Sequence, residues 1–121
     1  MSDWDNAFTG KPKGGLVNAH SFAGATSFFR IPYQRDLTGI DVAVAGIPLD
    51  IATTNRPGAR LGPRAIRNAS LSLAWERPWP WKTDPMQELA IIDYGDCENH
   101  SGGGLTSVAH IEPFIAQILE G

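Results

Sequence analysis

Four guanidinium groups, those of Arg56, Arg60, Arg64 and Arg67, crowd into the stretch TTNRPGARLGPRAIR, with Pro57, Gly58, Gly62 and Pro63 between them and Asp50 just upstream. An arginine presents a planar fork of N–H donors that grips a carboxylate or neighbouring carbonyls in bidentate fashion. Glycine tolerates backbone conformations and close approaches that a side chain forbids, and a proline at the start of a helix forfeits no hydrogen bond. On these grounds Gly58, Arg60, Gly62, Pro63 and Arg67 read as organisers of a loop and of the helix that follows it. The polar run Thr53, Thr54, Asn55 and Arg56 reads as the border of a substrate entrance. Asp50 has two readings, contact with a cationic ligand or a cap for the loop, and aspartates at such turns commonly bond nearby backbone.

Other chemistries find less support. The histidines His20, His100 and His110 form no His-x-x-x-His pair, and only Asp96 and Glu98 stand near one of them, so no metal site is expected in this chain. Ser101, His100 and Asp96 can be assembled into a triad on paper, but no Gly-x-Ser-x-Gly elbow accompanies them. The segment from Gly58 to Gly62 is the nearest approach to a phosphate-binding loop, and it has no P-loop lysine. Cys97 is the single cysteine, which rules out an internal disulfide and a Cys-based zinc site.

The elements that must position these residues follow from the hydrophobic pattern. Residues 1–41 show no sustained period and read as an arm, with AGATSFFRIP its one apolar group and Phe28 and Phe29 as anchors to the main body or to a neighbouring subunit. Within DVAVAGIPLD, the run from Val42 to Ile47 is almost continuously apolar and too short for a helix, which suits a strand buried on both faces of a parallel sheet. A helix is expected from about residue 63 to 75, with Ile66, Ala69, Ser70 and Leu73 on its core face and Arg64, Arg67 and Asn68 turned elsewhere. The proline-rich RPWPWKTDPM breaks the pattern, and its tryptophans, with Trp75, read as packing groups. ELAIIDYGD supplies a second strand, joined to the first by a right-handed crossover. A last helix takes Thr106 or Ser107 as N-cap, becomes regular from about residue 110 because of Pro113, and buries Val108, Ile111, Ile115, Ile118 and Leu119. Residues 42–121 thus read as the first βαβα portion of an α/β domain, and two strands alone make only the front of a larger sheet.

Composition narrows the partners. With 121 residues, 42% hydrophobic and 19% charged, the chain falls within the range of one soluble globular domain. A formal charge of −3 gives no overall basic field, which argues against nucleic acid or an anionic membrane as a general partner. No apolar run approaches the roughly 18 residues of a membrane span. The start MSDWDNAFTG has two acids and no apolar core of a signal peptide, and with one cysteine the expected compartment is the cytoplasm.

The ordered combination of GIPLD, GARLGPRAIR, LAWE and a strand ending IIDYGD resembles the ureohydrolases, the family of arginases, agmatinases and related amidinohydrolases, most closely its agmatinase branch. Residues 46–50 and 58–67 match that pattern position by position, and AGATSFFRIP resembles the arm segment that precedes the first strand. The resemblance implies a three-layer αβα sandwich around a parallel sheet, of which this chain would be the front part. It implies hydrolysis of a linear guanidino compound to urea and an amine at a centre of two manganese ions, and assembly into a homo-oligomer, a trimer or hexamer. The family's metal-ligand motifs, Gly-Gly-Asp-His, Asp-Ala-His-x-Asp and Asp-x-Asp, do not occur here, so no catalytic or metal-ligating residue is assigned in these 121 residues. Two other expectations stand beside this one: a non-catalytic assembly or regulatory fragment that pairs with full-length subunits, and a small-ligand-binding α/β module.

Overall fold

The structure, a computed structural model, describes residues 5–15, 20–99 and 104–121. His100 and Ser101 lie outside the described residues, and with them the triad and the metal reading that involved His100. Strand β1 (Val42–Gly46) pairs with β2 (Ile91–Asp96) in a parallel two-stranded sheet. Helix α1 (Asn6–Thr9) precedes them, α2 (Gly62–Ser70) and α3 (Pro85–Glu88) lie in the crossover, and α4 (Gly104–Glu120) follows β2.

Alternation along the strands sends successive side chains to opposite faces. Ile92 and Tyr94 of β2, with Ala43 and Ala45 of β1, face α4, where they meet Phe114, Ile111, Ile115 and Ile118. On the other face Asp93 meets Arg67 of α2, so helices cover both sides of the sheet. The second edge of β2 is covered by the N-terminal segment: Pro12 and Pro32 accept the N–H groups of Ile91 and Asp93, and Gln34 donates to the Asp93 carbonyl. This wrapping explains why β2 is buried almost throughout while β1 is only partly so.

The arm is fastened by a second set of bonds. Asp5 caps α1 by accepting from Ala7 N–H at 3.2 Å, and its other oxygen accepts from Ala25 N–H at 3.1 Å. Arg30 is buried, donates to the carbonyls of Ser21, Ala23 and Leu71, and stacks over Trp75 at 5.0 Å.

Three local expectations are corrected. The crossover helix ends at Ser70 and tightens into a 3₁₀ turn at Leu71–Leu73, with Pro63 in its first turn. Its buried side chains are Arg67 and Ser70; of the expected core face only Ser70 is buried, Ile66 being 60% and Leu73 46% exposed, and Arg67, expected to turn elsewhere, is the residue that packs. The last helix is continuous from Gly104, which places Thr106 and Ser107 inside it and Pro113 in its middle. One missing N–H there removes a single intrahelical bond. Phe114 is its buried anchor, and Val108 and Leu119 are exposed because a sheet of two strands is too narrow to cover the whole apolar stripe.

One glycine decides the register. Between Val44 and Ala45 the pairing slips, Ala45 standing opposite Gly95. Gly95 adopts φ +85°, and a Cβ there would lie 2.5 Å from the Tyr33 hydroxyl and 3.0 Å from its ring. Gly95→Ala combines left-handed strain with a clash against an aromatic ring and is expected to cost about 2–3 kcal/mol. Urea denaturation checks it, and a loss below about 0.5 kcal/mol would show that this backbone is not under steric control.

Candidate functional site

Open α/β sheets bind ligands beyond the carboxyl ends of their strands. Here β1 leads into residues 47–61 and β2 into residues 97–99, and two bonds hold those exits together. Cys97 N–H donates to the Gly46 carbonyl at 2.8 Å, and Asn99 Nδ2 donates to the Pro48 carbonyl at 2.8 Å.

The loop after β1 is built on Asp50. Its carboxylate accepts from Gly58 N–H at 2.7 Å, from Arg60 Nε at 2.7 Å and, more weakly, from Arg60 N–H at 3.4 Å. The Arg60 side chain foremost, with the Gly58 and Arg60 backbone donors, holds the Asp50 carboxyl below the usual carboxylate range. Gly58 adopts φ +142°, a conformation that L side chains rarely adopt. Thr53 Oγ1 donates to the Asp50 carbonyl at 2.7 Å, closing the near side of the loop. Thr54, Asn55 and Arg56 are exposed at its rim. Asp50→Ala removes the acceptor on which the loop closes, and trypsin cleavage of the Arg60–Leu61 bond is expected to accelerate about tenfold. An unchanged cleavage rate would mean that the loop holds its shape without Asp50.

A second, deeper constellation anchors α2 to the end of β2. Arg67 donates from Nε and Nη2 to the two oxygens of Asp93, at 2.7 and 2.9 Å, and from Nη1 to Asp96 at 2.8 Å. Asp93 is wholly buried and also accepts the N–H groups of Phe28 at 2.8 Å and Gly95 at 2.9 Å. Burial pushes its carboxyl up, but the Arg67 fork and the two backbone donors outweigh that and hold it below the usual range. The bonds to Asp93 lead in driving the Arg67 guanidinium upward, so it stays charged at any working pH. Ser70, one turn on, accepts Phe29 N–H and donates to the Arg67 carbonyl. Arm, crossover helix and strand therefore meet on one carboxylate. Gly46 supplies the clearance: a Cβ there would collide with the Asp96 carboxylate and lie 2.8 Å from Pro63 Cβ.

The residues singled out in the sequence thus fall into two groups. Asp50, Thr53, Gly58 and Arg60 come together in the loop, while Pro63 and Arg67 belong to the α2 anchor. Asp93 and Asp96 were not identified as the partners of Arg67; the available signal was two acids closing an apolar strand, a costly burial unless a cation answers them. Among the described residues no three or more His, Cys, Asp or Glu side chains come together as a metal site. No helix among them is long and apolar enough to cross a membrane.

Comparison with known proteins assigns this architecture. The sequence model of the arginase family matches residues 40–121. An agmatinase of Chromobacterium violaceum is 58% identical over 78 residues, covering 64% of this chain and 24% of that protein. An agmatinase of Blochmanniella floridana is 45% identical over 96 residues, covering 72% of this chain and 31% of that one. The crystal structure of a hypothetical agmatinase from Burkholderia thailandensis superposes with a TM-score of 0.89 at 45% identity, over 97% of this chain and 37% of that one. The chain therefore spans about a quarter to a third of the length of the curated relatives it matches. With two thirds of its residues inside the family pattern and a matching fold of parallel strands between helices, this chain belongs to the arginase family.

Proposed function

We propose that this chain forms the N-terminal portion of an agmatinase-type ureohydrolase, which hydrolyses a linear guanidino compound to urea and an amine. The observation that carries the reading is the superposition on an agmatinase structure over 97% of the chain, at 45% identity. In this reading residues 1–41 are the arm and residues 42–121 the first βαβα portion of the catalytic domain. The Asp50 loop stands beyond the carboxyl end of β1, and its exposed Thr53, Thr54, Asn55 and Arg56 border the substrate entrance. A cationic substrate makes Arg56 and Arg60 poor direct contacts, because like charges repel. Arg60 is already committed to Asp50, so it shapes the entrance.

Two manganese ions are the cofactor of this reading. The residues described here do not fit such a centre, since no cluster of ligand side chains forms and arginines hold Asp50, Asp93 and Asp96. Their part is to set the framework of the domain. The same reading makes the complete protein a cytoplasmic homo-oligomer, a trimer or hexamer.

The test is a chimera in which this chain replaces the matching segment of the Chromobacterium violaceum agmatinase. Manganese-dependent urea release from agmatine is expected to stay within about tenfold in kcat/KM of the parent. A chimera that folds and releases no urea would sink the proposal.

A further inference from the structure

A cavity of about 400 Å³ lies between the N-terminal segment, α2 and the end of β2, on the arm side of Arg67. Its volume falls within the range of small-molecule sites, and its walls are of two kinds. Phe8, Ala25 and Tyr33 give an apolar side, on which Phe8 is 72% and Tyr33 48% exposed. Arg64, Asn68 and Asp96 give a polar side. Arg64 and Asn68 stand one turn apart on α2, so their donors are neighbours, and neither makes a side-chain hydrogen bond or ion pair among the described residues. Asp96 gives only Oδ1 to Arg67, which leaves Oδ2 open. Ser27 also lines the cavity, fully buried, and its hydroxyl has no hydrogen-bond partner among the described residues. No surface of Ser27 is open to the cavity, so the polar contacts available to a ligand are those of Arg64, Asn68 and Asp96.

The charges sort the ligand. Arg67 with Asp93 and Asp96 carries one net negative charge, presented at Asp96, and Arg64 adds one positive charge. A simple anion would meet Asp96, and a simple cation would meet Arg64. A zwitterion with an apolar tail satisfies both: its carboxylate on Arg64 and Asn68, its ammonium on Asp96, its side chain against Phe8 and Tyr33. We propose that this cavity binds a free α-amino acid with an uncharged apolar or aromatic side chain. The site is separate from the substrate entrance at the Asp50 loop and does not depend on the reaction assigned above.

Calorimetric titration of the chimera described above, which sets this chain within a complete ureohydrolase, with L-phenylalanine tests this, with 3-phenylpropanoate and phenethylamine as analogues lacking one charge each. L-Phenylalanine is expected to bind, and each analogue to bind about tenfold more weakly or not at all. Arg64→Gln, at an exposed side chain with no partner to lose, is expected to weaken L-phenylalanine about tenfold and, by removing a like charge, to strengthen phenethylamine. Asn68→Ala provides a second reading of the carboxylate end with the same expected direction. Absence of heat with L-phenylalanine at millimolar concentration, analogue affinities equal to that of the amino acid, or indifference to Arg64→Gln would each overturn the proposal.

Discussion

Replacing Arg67 with alanine is expected to lower the unfolding free energy by about 3–5 kcal/mol, read as a shift in the urea midpoint followed by tryptophan fluorescence. The size follows from what is left behind. Asp93 has no exposed surface, so a carboxylate without its guanidinium partner cannot be compensated by water. The two remaining donors, the N–H groups of Phe28 and Gly95, stay in place but carry no full charge. Arg67→Lys should recover less than half of the loss, because a point charge cannot span both oxygens of Asp93 and still reach Asp96. The Arg67–Asp96 contact adds little, since the Asp96 side chain is 38% exposed and solvent screens it. A loss below about 1 kcal/mol in Arg67→Ala would mean that Asp93 is neutral in the folded chain and that the fork is not what holds it.

The same pair shows which parts of the fold were legible. The apolar run from Val42 to Ile47, too short for a helix, and ELAIIDYGD each announce a strand, and both form, in parallel; β1, expected to be buried on both faces, is only partly buried, whereas β2 is buried almost throughout. The Gly62-Pro63 start of α2 is equally local, fixed by two residues. The packed face of α2 is not local. Hydrophobic periodicity assigns Ile66, Ala69 and Leu73 to the core, but the sheet offers that helix an aspartate, which selects Arg67. Only a pairing across 26 residues of sequence reveals this, and periodicity within the helix is blind to it. Pro113 does not delay the start of the last helix to residue 110 for a related reason: its penalty is one bond, and anchoring by Phe114, Ile111 and Ile115 against the sheet outweighs it. In the candidate site, residue types identified Asp50 and Arg60 as loop chemistry, but their mutual bond depends on a turn whose path composition does not specify. The cavity beside Ser27 was wholly hidden, since its walls come from three separate parts of the chain.

Asp93→Asn tests the other half of the ion pair and gives it a pH signature. The side chains are nearly isosteric, so no cavity forms, but an amide brings N–H donors into a site already faced by four donor groups, two of Arg67 and the N–H groups of Phe28 and Gly95. Arg67, with a side chain only 10% exposed, is then left with a neutral partner. A loss of about 3 kcal/mol at neutral pH is expected from the unpaired buried charge. In the parent protein the Asp93 carboxyl sits below its usual range, because the Arg67 fork and the backbone donors outweigh the upward push of burial. A depressed folded-state value means that the unfolded chain takes up the proton first as pH falls. The stabilisation is therefore fully present above the unfolded value of about 3.9 and is lost progressively as pH drops through the folded value. Asp50 and Asp36 are depressed as well and contribute their own acid loss, but both remain in the variant. The difference between parent and Asp93→Asn in urea stability isolates Asp93: it should be largest at neutral pH and shrink below about pH 4. A difference that stays constant into strong acid would assign the loss to altered packing and remove the charged pair as the link between arm, α2 and β2.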